Sequence, residues 1–149
     1  MRIDFIKSSE KRRIVEALNQ QFGIESLPYL LIQSGKEKLR AYSGHLSKDE
    51  ILSLSEIAYI DSIGIYLIRM EFSARLSFDA THLLASQLKK NIIEINESQA
   101  KEWLRGFDLG IQKPSGTYIV KFENDFLGCG KSNGEKIINH VPKERRLRR

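Results

Sequence analysis

Cysteine, histidine and proline are scarce in this sequence. One cysteine, Cys129, occurs among 149 residues, so the chain cannot form an internal disulfide. The three histidines, which lie at positions 45, 82 and 140, offer no metal-ligand spacing. We therefore expect a protein of the cytoplasm that holds no metal and no cofactor.

Long apolar runs are also absent. No stretch of about 18 apolar residues occurs, which excludes a membrane-spanning helix. The first residues, "MRIDFIKSSEKRR", lack the basic-then-apolar order and the cleavage site of a secretory signal. An apolar content of 41% with 29% charged residues is typical of a globular protein. These features predict a cytoplasmic location and no membrane partner.

Positive charge is concentrated at the carboxyl end. Residues 1–75 carry 11 Lys or Arg against 10 Asp or Glu, whereas residues 76–149 carry 13 against 9. From Lys131 onward there are seven basic residues and two acidic ones. A basic end on a nearly neutral body indicates a polyanionic partner, although a solvated tail without function gives the same pattern.

The first half of the chain predicts the order α-β-β-α-β. The segment "SSEKRRIVEALNQQFG" has apolar residues at helical spacing and a terminating glycine. The segment "LPYLLIQSGKEKLRAYSG" is typical of a β-hairpin, and Ser47 with Glu50 forms a capping box before a short helix. The β-branched and aromatic run "IGIYLIRMEF" predicts a strand.

A second pattern begins near residues 71–75. A short strand, the helix "DATHLLASQL", the strand "NIIEI" and the helix "NESQAKEWLRG" come first, with Asn96 and Gln99 at capping-box spacing. Three strands then follow in close succession, with the Asn133-Gly134 pair at a hairpin turn. The sequence therefore predicts an α+β protein, with a small α/β module at residues 1–73 and a strand-rich, barrel-like module at residues 74–149.

Catalytic motifs are weak. The local "GKS" at residues 130–132 matches the end of a phosphate-binding loop, but the earlier glycine and the following helix are missing. Cys129 next to Lys131 is a candidate nucleophile, whereas a buried structural cysteine is the simpler interpretation of a strand flanked by glycines. A small RNA-modifying or nucleotide-binding enzyme centred on these two residues remains an alternative.

Binding is the better interpretation of the same segment. Gly128 and Gly130 remove side chains from a strand, which lets another backbone approach closely or marks a tight corner of a barrel. The basic residues that follow can neutralise phosphates. Asn139 and His140 can supply hydrogen bonds beside that charge, as RNA recognition requires.

The segment "YIVKFENDFLGCGKSNGEKIINHVPKERR" resembles the end of the PUA-type RNA-binding domain of NOP/Sun-family RNA cytosine methyltransferases. The family pattern is an apolar strand, a turn, Leu-Gly-any-Gly-Lys, a second turn, and a strand with Asn before Pro-Lys and Arg. The matching residues are Leu127, Gly128, Gly130, Lys131, Asn139, Pro142, Lys143 and Arg145 or Arg146. The resemblance covers about 50 carboxyl-terminal residues, and "AKEWLRG" before them also fits it.

The resemblance implies a compact β-pseudobarrel that binds RNA through "SFDATHLLASQLKKN" and the carboxyl-terminal strands. The methyltransferase catalytic domain has no counterpart here. An α/β module before a PUA domain is instead similar to the small Nip-family ribosome-assembly factors. Free-standing proteins of this kind are familiar from archaea, and the Ile/Lys-rich composition is compatible with such a source.

We therefore predict a non-catalytic protein that binds rRNA or tRNA in ribosome biogenesis or RNA modification. Residues 1–73 are expected to contact a ribosome-assembly or RNA-modification protein, or more RNA. A protein–protein adaptor with an inert basic tail is the third alternative. The predicted RNA-binding residues are Gly128, Gly130, Lys131, Asn139, Lys143, Arg145, Arg146, Lys89 and Lys90.

Overall fold

The structure is a computed structural model that describes residues 2–148; Met1 and Arg149, at the outer ends of the two predicted modules, lie outside the described residues. The first half forms one antiparallel sheet in the order of its five strands, together with two helices. These elements are β1 (Asp4–Phe5), α1 (Ser8–Phe22), β2 (Leu30–Ser34), β3 (Lys38–Tyr42), α2 (Lys48–Ile57), β4 (Ile65–Met70) and β5 (Ala74–Leu76).

The second half forms a four-stranded sheet with short helices beside it. Its first two strands are parallel, and the remaining pairs are antiparallel. The elements are α3 (Phe78–Leu83), a 3-10 turn (Ala85–Gln87), β6 (Ile92–Glu94), α4 (Glu97–Leu104), β7 (Gly116–Phe122), β8 (Asp125–Ser132), β9 (Ile137–Asn139) and a second 3-10 turn (Lys143–Arg145).

Both predicted capping boxes are confirmed, and each fixes the start of a helix. At α2 the Glu50 amide donates to the Ser47 hydroxyl at 3.1 Å, and the Ser47 amide donates to the Glu50 carboxylate at 2.7 Å. At α4 Asn96 and Gln99 exchange the same pair of bonds at 2.8 and 3.0 Å. Each box satisfies amides that the first helical turn leaves without partners.

The two halves share a hydrophobic core. The larger cluster joins α1 and the first sheet to Ile119, Phe126 and Cys129 of the second sheet. The smaller cluster surrounds Trp103 of α4, which is fully buried. The two modules are thus packed against each other through apolar side chains.

The predicted division between residues 1–73 and 74–149 stays a prediction. Residues 74–76 form β5, which pairs with β4 as the last strand of the first sheet. A cut at residue 73 would therefore separate two hydrogen-bonded strands. Among residues 2–148, no helix is both long enough and apolar enough to cross a bilayer.

Candidate nucleic-acid interface

Gly130 faces the interior of the protein. A Cβ placed on Gly130 would lie 2.7 Å from the Trp103 ring and would overlap the Ile137 side chain. The Trp103 indole is held there because its Nε1–H donates to the Leu127 carbonyl oxygen at 2.7 Å. Gly130 therefore leaves room for α4, and its contact with RNA stays a prediction that this packing does not support.

Gly128 has a similar role toward α3. Its φ of +81° lies in the left-handed region, and an added Cβ would meet the Phe78 ring at 3.0 Å. Its amide donates to the buried Thr81 hydroxyl at 3.2 Å. The group that approaches this strand closely is thus the protein's own helix, and the contact of Gly128 with RNA likewise stays a prediction without support from the packing.

Cys129 is buried between these two glycines. Burial raises the pKa of its thiol to about 12, so at neutral pH the sulfur is protonated and a poor nucleophile. The neighbouring "GKS" lies within β8 and continues into a hairpin, with no helix to complete a phosphate-binding loop. Among residues 2–148, no three His, Cys, Asp or Glu side chains gather as a metal site. These positions do not support an enzyme centred on Cys129 and Lys131.

The Asn139 side chain holds the end of β9 in place. Its amide nitrogen donates to the carbonyl oxygens of Trp103 at 2.7 Å and Phe107 at 2.9 Å. Its side-chain oxygen accepts from the Val141 amide at 2.8 Å. These bonds engage both ends of the amide, so Asn139 stabilises the fold, and its assignment to RNA binding stays a prediction.

Three contacts made by charged side chains join the segment 71–79 to residues 131–145. Glu71 lies in the turn after β4, Arg75 in β5 and Asp79 in α3, and their partners lie in β8, directly after β9 and in the tail. We call this surface the cationic seam. Its contacts are Lys131 Nζ to Glu71 Oε2 at 3.7 Å, Arg75 Nη1 to His140 Nδ1 at 2.9 Å and Arg145 Nη2 to Asp79 Oδ1 at 2.8 Å.

Positive charge exceeds negative charge at the cationic seam. Its contacts, with Arg69 beside them, bring Arg69, Arg75, Lys131 and Arg145 together with Glu71 and Asp79, an excess of two positive charges. Lys131 and Arg145 are each about half exposed, at 48% and 51%. Exposed ion pairs contribute at most about 1 kcal/mol, so phosphate groups can displace their carboxylate partners.

The remaining predicted cations divide between the tail and another surface. Lys143 is exposed in the tail, whereas Arg146 is partly buried against Gly106 and donates to the Val141 carbonyl oxygen at 3.0 Å. Lys89 and Lys90 are exposed beside the end of α1, where both amides donate to the Phe22 carbonyl oxygen. The structure thus brings Lys131 and Arg145 to the seam, while Lys143 lies in the tail two residues before Arg145 and Lys89 and Lys90 lie beside α1.

The sequence interpretation missed Arg69 and Arg75. These two residues are cross-strand partners in β4 and β5, and Arg69 binds the Glu71 carboxylate at 2.7 Å. Arg69 belongs to the predicted module 1–73, which was assigned no RNA-binding residue, and Arg75 lies at the start of the predicted module 74–149. One sequence feature could have indicated them. The pattern of helices and strands restarts near residue 71, so the charged residues around the turn between β4 and β5 lie next to the start of the second module.

His140 is neutral at physiological pH. Partial burial, and then the nearby Arg75 guanidinium, lower its pKa to about 4. A neutral imidazole has one unprotonated ring nitrogen, which accepts the Arg75 hydrogen bond. The contact between the two halves at this point therefore depends on an uncharged histidine.

We expect folding stability to fall as the pH drops from about 6.5 to about 4 because of His140. In that window the unfolded chain binds a proton that the folded state excludes. After allowance for solvent screening, we expect the loss to be about 1–2 kcal/mol. Urea unfolding of the wild type and His140→Gln across this range measures it, and the variant should lose less. Equal losses would show that His140 is not the responsible group.

The fold is PUA-like. The chain matches the structure of a conserved PUA domain protein from Thermoplasma acidophilum with a TM-score of 0.64, at 18% identity and over 95% of both chains. At that identity the likeness shows the fold. The expected architecture, α+β with a PUA-like domain, is confirmed.

The carboxyl-terminal part of the chain is similar to the PUA domain of an RNA methyltransferase family. Residues 90–147 match the family model described as the methyltransferase RsmF PUA domain. The ribosomal RNA small subunit methyltransferase F of Vibrio cholerae is 28% identical over 145 residues, 94% of this chain and 30% of that protein. The Shewanella woodyi enzyme of the same name is 40% identical over 65 residues, 42% of this chain and 14% of that protein.

The resemblance to the PUA domain of Sun-family methyltransferases is therefore confirmed. The match to the Vibrio cholerae protein also extends well beyond the carboxyl-terminal segment on which the resemblance was based. The chain spans about a third or less of these bacterial relatives, and the family model matches the PUA part alone. An archaeal source stays an expectation of the composition.

Proposed function

We propose that this protein binds structured RNA through the cationic seam and does so without catalysing a reaction. The observation that carries the proposal is the convergence of Lys131, Arg75 and Arg145 on one surface of a PUA-type fold. The matched relatives act on small-subunit ribosomal RNA by name, so ribosomal RNA is the first candidate ligand. Transfer RNA is the second.

The proposed contacts are electrostatic. Lys131, Lys143 and Arg145 neutralise phosphates, with Arg69 and Arg75 as further cations beside them. Lys89 and Lys90 extend the contact on the neighbouring surface beside α1. Such contacts position RNA without reading its bases, which suits a domain that recognises folded RNA by shape.

The proposed cellular role is ribosome biogenesis or support of RNA modification in the cytoplasm. In this proposal residues 74–149 contact RNA, and residues 1–73 contact a ribosome-assembly or RNA-modification protein. The exposed apolar side chains of the first module support such a partner, since three of them, Leu46, Leu54 and Ile57, line one groove of α2.

Salt dependence tests the RNA-binding proposal. If about four phosphates are neutralised, the logarithm of the affinity should fall with the logarithm of salt concentration at a slope of about −3 to −4. Fluorescence anisotropy with transcribed small-subunit ribosomal RNA between about 50 mM and 200 mM salt measures this slope. An affinity that does not change with salt would contradict the proposal.

A further inference from the structure

Phe72 is the most exposed large apolar side chain among residues 2–148, since its ring lies wholly in solvent. It stands at the tip of the tight turn between β4 and β5. An aromatic ring in that position loses hydrophobic stabilisation and contributes no packing to either core. Its position therefore indicates that the ring contacts another molecule.

The turn that carries Phe72 is fixed on both sides. On one side the Glu71 carboxylate binds Arg69 at 2.7 Å and Lys131 at 3.7 Å. On the other side the hydroxyl groups of Ser73 and Thr117 share a hydrogen bond of 3.0 Å. The ring is therefore presented from a held turn at the end of the cationic seam.

The surroundings of Phe72 are charged and not apolar. The other exposed large apolar residues of the described chain lie in residues 46–65 or at positions 83, 107 and 147, none of them in the neighbouring strands β5, β7 and β8. A protein-docking surface has a contiguous apolar patch, which is missing around this ring. A single aromatic ring among cations is instead the arrangement that stacks on nucleobases while phosphates are neutralised beside it.

We infer that Phe72 stacks on an unpaired base of the RNA whose phosphates lie along the cationic seam. This inference rests on the proposed function and adds to it a preference for RNA with an exposed base next to a helix. The stem would lie on Lys131 and Arg145, and the base beyond the stem would meet the Phe72 ring. Paired bases cannot reach the ring because their faces are covered by their neighbours.

Two RNA hairpins of equal charge test the inference. Both have the same stem; one has a loop of adenosines, and the other has a loop of abasic linkers of the same length. Phe72→Ala should weaken binding to the adenosine hairpin about tenfold, which is about 1.4 kcal/mol, because the variant loses the stacking of a base on the aromatic ring. The same variant should bind the abasic hairpin as the wild type does, and Phe72→Tyr should retain the wild-type affinity for both.

The outcomes separate this inference from the proposed function. If the wild type binds neither hairpin in a salt-dependent way, the proposed function fails and the inference fails with it. If both hairpins bind with the expected salt dependence but Phe72→Ala binds the adenosine hairpin as tightly as the wild type, the stacking role alone is overturned. The ring would then be assigned to a protein contact.

A tryptophan variant gives a direct signal of stacking. The sequence has one tryptophan, Trp103, which is fully buried, so Phe72→Trp adds the only solvent-exposed indole. The adenosine hairpin should quench its fluorescence and protect it from acrylamide, and the abasic hairpin should do neither. Equal acrylamide quenching with and without the adenosine hairpin bound would overturn the inference.

Discussion

Replacing Gly130 with valine is expected to lower the free energy of unfolding by about 3 kcal/mol or more. The new side chain would have to occupy space filled by the Trp103 ring and the Ile137 side chain, both fully buried. The ring cannot retreat, since its nitrogen is hydrogen-bonded to the Leu127 carbonyl oxygen. A loss of this size is a large fraction of the ~5–15 kcal/mol that stabilises an ordinary domain. Urea unfolding followed by circular dichroism measures it.

Gly110→Val is the matched control. Its φ is not positive, and a Cβ at Gly110 would have no heavy atom within 4 Å. The control should therefore unfold at a urea concentration close to that of the wild type. The two variants also decide between packing and RNA contact as the role of Gly130. A Gly130→Val protein of normal stability that no longer binds RNA would restore the RNA role and refute the packing role.

The helices and most strands could be predicted because their signals are local. The capping boxes at Ser47 and Asn96 and the hairpin turn at Gly134 depend on residues a few positions apart. Strand β1 escaped prediction because its two residues, Asp4 and Phe5, show no alternation. Such an edge strand exists only because β2 offers it a partner.

The motif around Gly128 and Gly130 could be recognised, but its physical cause could not. Glycine permits a close approach whichever molecule makes it, so the sequence leaves the approaching group open. Only the structure shows that the groups are Phe78 and Trp103 from the protein's own helices. At Gly128 and Gly130, the glycines of the PUA-like sequence motif are therefore explained by packing inside the protein.

The cationic seam is assembled by long-range contacts. Arg75 and His140 are 65 residues apart in sequence, and Ser73 and Thr117 are 44 apart. The basic tail was visible in the sequence, whereas its position against segment 71–79 depends on how the two sheets pack. The count of charged residues therefore predicted a polyanionic partner and the carboxyl-terminal part of the proposed binding surface. It did not predict the part that segment 71–79 contributes.

The double substitution Lys131→Glu with Arg145→Glu is expected to weaken RNA binding about a hundredfold at physiological salt and to reduce the salt slope by about two. Both side chains are about half exposed, and their ion pairs contribute little to folding, so the fold should persist. Substitution is a cleaner test than removal of the tail. Arg146 and Leu147 bond to the backbone of Val141 and Leu104, so truncation would disturb the domain itself.

Lys7→Glu with Lys48→Glu is the matched control, because it changes the net charge equally. Both lysines are exposed at the starts of helices, where acidic residues are favourable, and Lys48 lies near Phe5 of β1. Strand β1 is at the opposite edge of the first sheet from β5, about 19 Å away at ordinary strand spacing. If the control loses as much RNA affinity as the seam variant, the affinity depends on the overall charge of the protein and not on the seam. If only the seam variant loses affinity, the phosphates bind at Lys131 and Arg145.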